Sequence, residues 1–122
     1  MLISIVSFGY KYGLPIDADL VMDVRFMPNP NYVPALKHKT GMDAAVGKHI
    51  LKAAACGLFL SRFSSMIREL LPHYISEGKS YLTIAIGCTG GRHRSVFITR
   101  QLSGILQKEG YAVREFHRDI QK

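Results

Sequence analysis

The sequence predicts an α/β fold, a single small layer sandwich on a mostly parallel sheet of about four strands. Three observations predict it. Short β-branched runs alternate with longer segments whose apolar residues recur at threes and fours. The run Ser80–Gly87, "SYLTIAIG", is apolar on both faces, as a strand is at the centre of a parallel sheet covered by helices. The elements follow one another as strand, loop, helix and strand, without an internal repeat, a low-complexity tract or a linker. The 122 residues suffice for one hydrophobic core and are too few for two ordinary domains, so residues 1–122 are expected to form one domain.

Taken in order, "LISIVSF" (Leu2–Phe8) is β-branched and apolar and reads as a buried strand, running into the loop "GYKYGLP". "DLVMDVRF" (Asp19–Phe26) reads as a second strand. On it Asp23 and Arg25 alternate with apolar neighbours and are expected to share a face, either as an ion pair or pointing into a ligand crevice. It ends in "MPNPNYVP", where Pro28, Pro30 and Pro34 hold the residues between them in extended or turn conformations. Asn29 and Asn31 in this loop are turn formers or ligands for sugar hydroxyls.

From Met42 to about Ser76 the spacing of Leu51, Ala55, Leu58, Met66, Ile67, Leu70, Leu71 and Tyr74 predicts one face of a helical region broken in two. The central strand follows. Val96, Ile98, Leu102, Ile105 and Leu106 then predict another amphipathic helix, closed by Gly110, and "YAVREF" reads as a last strand.

Sixteen Lys plus Arg against nine Asp plus Glu give a formal charge of +7, which favours nucleic acid, phosphorylated metabolites or an anionic surface, or simply keeps the protein in solution. Two cysteines, Cys56 and Cys88, are too few for a disulfide scaffold. No secretory signal pattern opens the chain, and its apolar stretches are interrupted before they could span a bilayer, so a soluble, cytoplasmic protein without a membrane partner is expected. The five histidines lack metal-ligand spacing. No metal or cofactor is expected, and His38, His49, His73 and His117 are read as solvated or hydrogen-bonded.

The stretch between the central strand and the last helix, "GCTGGRHRS" (Gly87–Ser95), carries the chemistry. The end of a central strand is the usual ligand crevice of an open α/β sheet. Gly87, Gly90 and Gly91 allow a tight turn with amides aimed inward, and the helix adds unpaired amides and the positive end of its dipole. Arg94 is suited to clamp two phosphate oxygens, while Thr89, His93 and Ser95 offer shorter polar contacts. Arg92, in the turn, is expected to face solvent. The plain alternative is a glycine turn with surface arginines. Cys88 is a small buried apolar residue or, because five residues separate it from Arg94 and Ser95 follows, the nucleophile of a loop that looks like that of cysteine-dependent phosphatases. In that alternative Cys88, Arg94 and Ser95 are catalytic, and Asp23 and Asp119 are the candidate acids.

Together, "SFGYKYGLPIDADLVMDVRFMPNP", "SYLTIAIGCTGGRHRSV" and "HRD" closely resemble the C-terminal domain of the RNase adapter protein RapZ family over nearly the whole chain. The resemblance implies a shape like a phosphofructokinase subdomain, binding of glucosamine 6-phosphate or a similar small anion, and small regulatory RNA or a protein as a second partner. It places the phosphate-holding loop on Cys88, Thr89, Gly90, Gly91, His93, Arg94 and Ser95, with Asp23 and Arg25 at the neighbouring strand end. The amino-terminal P-loop domain of the family has no counterpart here, since no GxxxxGKS-type sequence occurs. Asn31 stands where well-known members carry a histidine that contributes to the sugar-phosphate site. Lys37, Lys39, Arg114 and Arg118 are the candidate RNA contacts, and the tail "HRDIQK" is less basic than that of those members.

Overall fold

The computed structural model describes every residue from Met1 to Lys122. Its four strands are β1 (Leu2–Gly9), β2 (Leu20–Asp23), β3 (Tyr81–Cys88) and β4 (Ala112–His117), and its three α-helices are α1 (Ala44–Leu51), α2 (Ala54–Ser76) and α3 (Arg94–Lys108). The sheet is parallel throughout, in the order β2-β3-β1-β4. The predicted α/β class therefore holds, with the apolar run of Ser80–Gly87 supplying the inner strand β3.

The right-handedness of parallel crossovers sets the layers. The connections from β2 to β3 and from β3 to β4 both step toward the β4 edge, so both place their helices on one face. That face carries the core: Ile3, Ile5, Leu82, Ile84 and Ile86 are fully buried against Ile67, Leu71, Ile98, Leu102 and Leu106. The step from β1 back to β2 runs the other way and crosses the opposite face. Its first residues pack there: Phe8 and Tyr10 meet edge to face at 4.9 Å, and a Cβ on Gly87 would collide with both rings. The remainder of this second face is open, with Tyr81 and Phe116 more than half exposed. The sheet thus has helices on one side only, rather than the two-sided cover that the apolar run suggested.

Two element boundaries differ from the sequence reading. The second strand stops at Asp23 rather than Phe26. The Val24 amide still reaches the Gly87 carbonyl at 2.9 Å, but the next amide, of Arg25, donates to its neighbour's carboxylate, Asp23 Oδ1, at 2.8 Å, and the chain turns away. In the helical region the break falls at Lys52–Ala53, where α1 and α2 meet at 94°. A bend that large resets the phase of the apolar stripe. α2 buries Cys56, Leu60, Phe63, Ser64, Ile67 and Leu71, whereas Leu58 (57 % exposed) and Met66 (40 %) face outward. No single helix is long and apolar enough to cross a membrane.

β4, at the edge of the sheet, is tied in by polar contacts as well as its ladder. His117 Nδ1 lies 2.7 Å from the fully buried Ser7 Oγ, and its Nε2 lies 2.6 Å from Glu115 Oε2.

Candidate functional site

β3 ends at Cys88 and α3 begins at Arg94, and the intervening loop rests on the end of β1. The approach is close enough to require glycine on both sides. A Cβ on Gly9 would lie 2.5 Å from the Gly90 carbonyl carbon, and one on Gly91, whose φ is +79°, would lie 2.6 Å from the Gly9 nitrogen. The loop is pinned from two further directions. The Lys11 amide donates to the Thr89 carbonyl at 3.1 Å, and the Gly41 amide donates to the Arg92 carbonyl at 2.8 Å. No side chain caps the start of α3, so its first-turn amides are left for a ligand or solvent.

These contacts shape a pocket of about 210 Å³ at the carboxyl end of β3, lined by Lys11, Asn29, Asn31, Cys88, Thr89, Gly90, Arg92, His93 and Arg94. Its wall holds three cationic side chains and no carboxylate. Arg94 is 4 % exposed and serves the wall as a strut. Its Nη1 donates to the Arg25 carbonyl at 2.6 Å and to the Met27 carbonyl at 3.2 Å, and its Nη2 reaches Thr89 Oγ1 at 3.4 Å. Its Nε is buried without a partner, as is His93 Nε2. Burial holds the His93 imidazole below its usual pKa, helped by the nearby Arg92 charge and opposed by the Lys39 and Lys37 carbonyls.

Of the residues expected at the site, Cys88, Thr89, Gly90, His93, Arg94 and Asn31 line the pocket together. Gly91 and Ser95 stand behind the wall: Gly91 makes the contact with Gly9, and Ser95, fully buried, accepts from Cys88 Sγ at 3.1 Å. Asn29 lines the pocket and also forms a turn, its Oδ1 accepting the Asn31 amide at 3.0 Å. Asp23 and Arg25 pair with each other at 2.7 Å outside the pocket lining, and the Arg25 guanidinium lies 3.9 Å from the Tyr10 ring centroid. The Arg25 carbonyl supports the wall indirectly, by accepting from Arg94 Nη1. Two lining cations differ from expectation: Lys11 carries no motif, and Arg92, expected in solvent, is half-buried in the wall with Nη2 donating to the His38 carbonyl at 3.3 Å.

Both carboxylates considered as acids are held ionised. Hydrogen bonds from Arg25 lower the Asp23 pKa against a smaller opposing effect of burial. Burial pushes the fully buried Asp119 upward, but hydrogen bonds from Arg118, the Gly9 amide and Lys122 together outweigh it. Asp119 joins β1, the anion-type loop and the tail: it accepts the Gly9 amide at 2.8 Å, and its Cβ would stand 2.9 Å from a Cβ on Gly91. The four candidate RNA contacts do not form one patch. Lys37 and Lys39 are exposed on the segment bordering the pocket, Arg114 is on β4 beside the open sheet face, and Arg118 is engaged with Asp119 and the Gly13 carbonyl.

The family model described as the RapZ C-terminal domain matches residues 1–121. Among curated relatives, a protein of Moorella thermoacetica is 53 % identical over 120 residues, one of Caldicellulosiruptor bescii 55 % over 122, and one of Endomicrobium trichonymphae 59 % over 117. Each is named "Nucleotide-binding protein". The alignments cover 98, 100 and 96 % of this chain and 40, 42 and 41 % of those relatives, so the chain spans about two fifths of their length.

Proposed function

Because this chain belongs to the RapZ C-terminal domain family, we propose that it is a non-catalytic binding domain for a phosphorylated amino sugar of the glucosamine 6-phosphate type, acting in RNA-linked regulation. The observation that carries the reading is the pocket at the end of β3, with Lys11, Arg92 and Arg94 in its wall, no carboxylate, and two buried nitrogens, Arg94 Nε and His93 Nε2, without partners. The cationic wall and the uncapped start of α3 both favour an anion. The phosphoryl group lies over the loop amides and the start of α3, and Asn29 and Asn31 face the sugar hydroxyls.

The volume of about 210 Å³ lies below the several hundred Å³ usual for cofactor pockets, which favours a compact sugar phosphate over a nucleotide. We assign the nucleotide of the relatives' name to the part of those proteins that this chain does not match. A cysteine-dependent phosphatase would need a neutral carboxyl to protonate its leaving group, and Asp23 and Asp119 are both held ionised, which supports binding over turnover. For RNA, the exposed Lys37 and Lys39 beside the pocket are the better candidates, because Arg118 is already paired.

Calorimetric titration with glucosamine 6-phosphate, glucosamine and inorganic phosphate tests the reading. Binding of the sugar phosphate, at least tenfold weaker binding of phosphate and none of the free sugar are expected. Equal affinity for phosphate and sugar phosphate would reduce the pocket to a generic anion cradle, and no binding of either would refute the assignment.

A further inference from the structure

α2 carries a second apolar stripe that the core covers only in part, through Phe59. Leu58, Phe59 and Met66 run along it at helical spacing and, with Met22 of β2 and Phe26 of the following turn, wall a groove of about 390 Å³ over the partly covered edge of Phe63. Phe26 is 58 % exposed, Leu58 57 % and Met66 40 %. The groove is built rather than incidental: Phe59 stacks on Phe63 at 5.2 Å, and Phe26 meets Phe59 edge to face at 6.2 Å. It lies at the free edge of the sheet, since no strand follows β2 outward.

One charge stands in this apolar wall, Arg62, and it takes part in none of the molecule's ion pairs. We propose that the groove is a docking site for an acidic amphipathic helix of a partner protein, whose apolar ridge fills the space between Phe26 and α2 and whose carboxylate pairs with Arg62. An i, i+3, i+4, i+7 ridge suits a groove walled along one helix. Charge selects the partner. The chain carries a net +7, so a second copy would bring another Arg62 and a like-charged surface to the contact, whereas an acidic segment is attracted at long range and meets a counter-charge at the end.

The test uses the whole chain and two labelled 15-residue helical peptides with Leu at i, i+3, i+4 and i+7, one flanked by Glu and one by Lys, read by fluorescence anisotropy. The Glu peptide is expected to bind at least tenfold more tightly than the Lys peptide. Arg62→Glu should reverse that order, and Leu58→Asp should weaken the Glu peptide at least tenfold. Both substituted residues are exposed, and unchanged far-ultraviolet circular dichroism verifies the fold. Equal binding of the two peptides, no binding of the Glu peptide, or indifference to Leu58→Asp overturns the proposal. So does a concentration-dependent dimer in sedimentation that Leu58→Asp disperses, which assigns the groove to a second copy. Co-sedimentation with phosphatidylserine vesicles that Leu58→Asp abolishes assigns it to a membrane and overturns it as well.

Discussion

A single nitrogen of Arg94 reaches two main-chain carbonyls, those of Arg25 and Met27, while its Nε is buried without a partner. On the proposed reading, architecture and ligand contact therefore converge on one side chain. Arg94→Lys is expected to lose about 2 to 3 kcal/mol of stability in urea unfolding, because a lone ammonium does not span the carbonyls and Thr89, and to lose sugar-phosphate binding with it. Arg92→Ala should leave stability within about 0.5 kcal/mol while weakening the ligand roughly tenfold, a separation that unfolding and calorimetry read independently. On the proposed reading, His93 links anion binding to proton uptake. An anion accepting from Nε2 favours the imidazolium that burial disfavours, so binding near pH 6.5 should take up protons, seen as a dependence of the calorimetric heat on buffer ionisation enthalpy. His93→Gln should remove that uptake, which separates it from the phosphate's own titration near a pKa of about 6. The loop residues of the pocket were legible in the sequence because glycines, a strand end and a helix start mark them together. Lys11 was not, since its place depends on β1 lying beside β3, and Arg92 was misread because a turn in sequence need not be a turn in solvent.

At the scale of elements, the contact between the end of β1 and the loop after β3 sets how deep the pocket is. Gly9→Ala forces a methyl against the Gly90 carbonyl carbon, where backbone cannot move aside, and is expected to cost more than about 2 kcal/mol in thermal or urea unfolding. A compensating Gly90→Ala would not restore it, whereas Gly13→Ala, whose added Cβ meets nothing, should cost only what its backbone conformation of φ +89° and ψ +158° imposes, about 1 to 3 kcal/mol. The elements themselves were readable from periodicity, to within a few residues at their ends. The buried face of α2 was not. That helix is apolar along two stripes, and the 94° bend before it removes any phase carried from α1, so Leu58 and Met66 were counted with a core they do not enter.

Across the whole molecule, the carboxyl-terminal tail is anchored by a buried charge. Asp119 has its folded pKa lowered below an unfolded value near 3.9, so the stability it contributes is present above that value and is lost as pH falls through the folded pKa. Asp119→Asn should cost about 1 to 2 kcal/mol at pH 7 and flatten the acid limb of the stability profile measured by urea midpoints below pH 4. For RNA, changing Lys37 and Lys39 to Ala should make the log–log salt slope of binding shallower by about 0.7 for each lost phosphate contact, read by fluorescence titration at several salt concentrations. The class and parallel character of the sheet followed from the sequence. Its strand order did not, because β1 returns across the open face to start β2, and nothing in local periodicity records which edge a strand joins.

The strut made by Arg94 has one more consequence. The segment whose carbonyls it holds, Arg25 to Met27, carries Phe26, and Phe26 is a wall of the apolar groove. Arg94 of the pocket and Phe26 of the groove are thus joined through the segment Arg25 to Met27. On the proposed readings, an anion held by Arg94 is expected to change how firmly those carbonyls are held, and a helix seated against Phe26 to change where they stand. Any such coupling is reciprocal: whatever factor the proposed sugar phosphate applies to the proposed partner's dissociation constant, that partner applies to the sugar phosphate's.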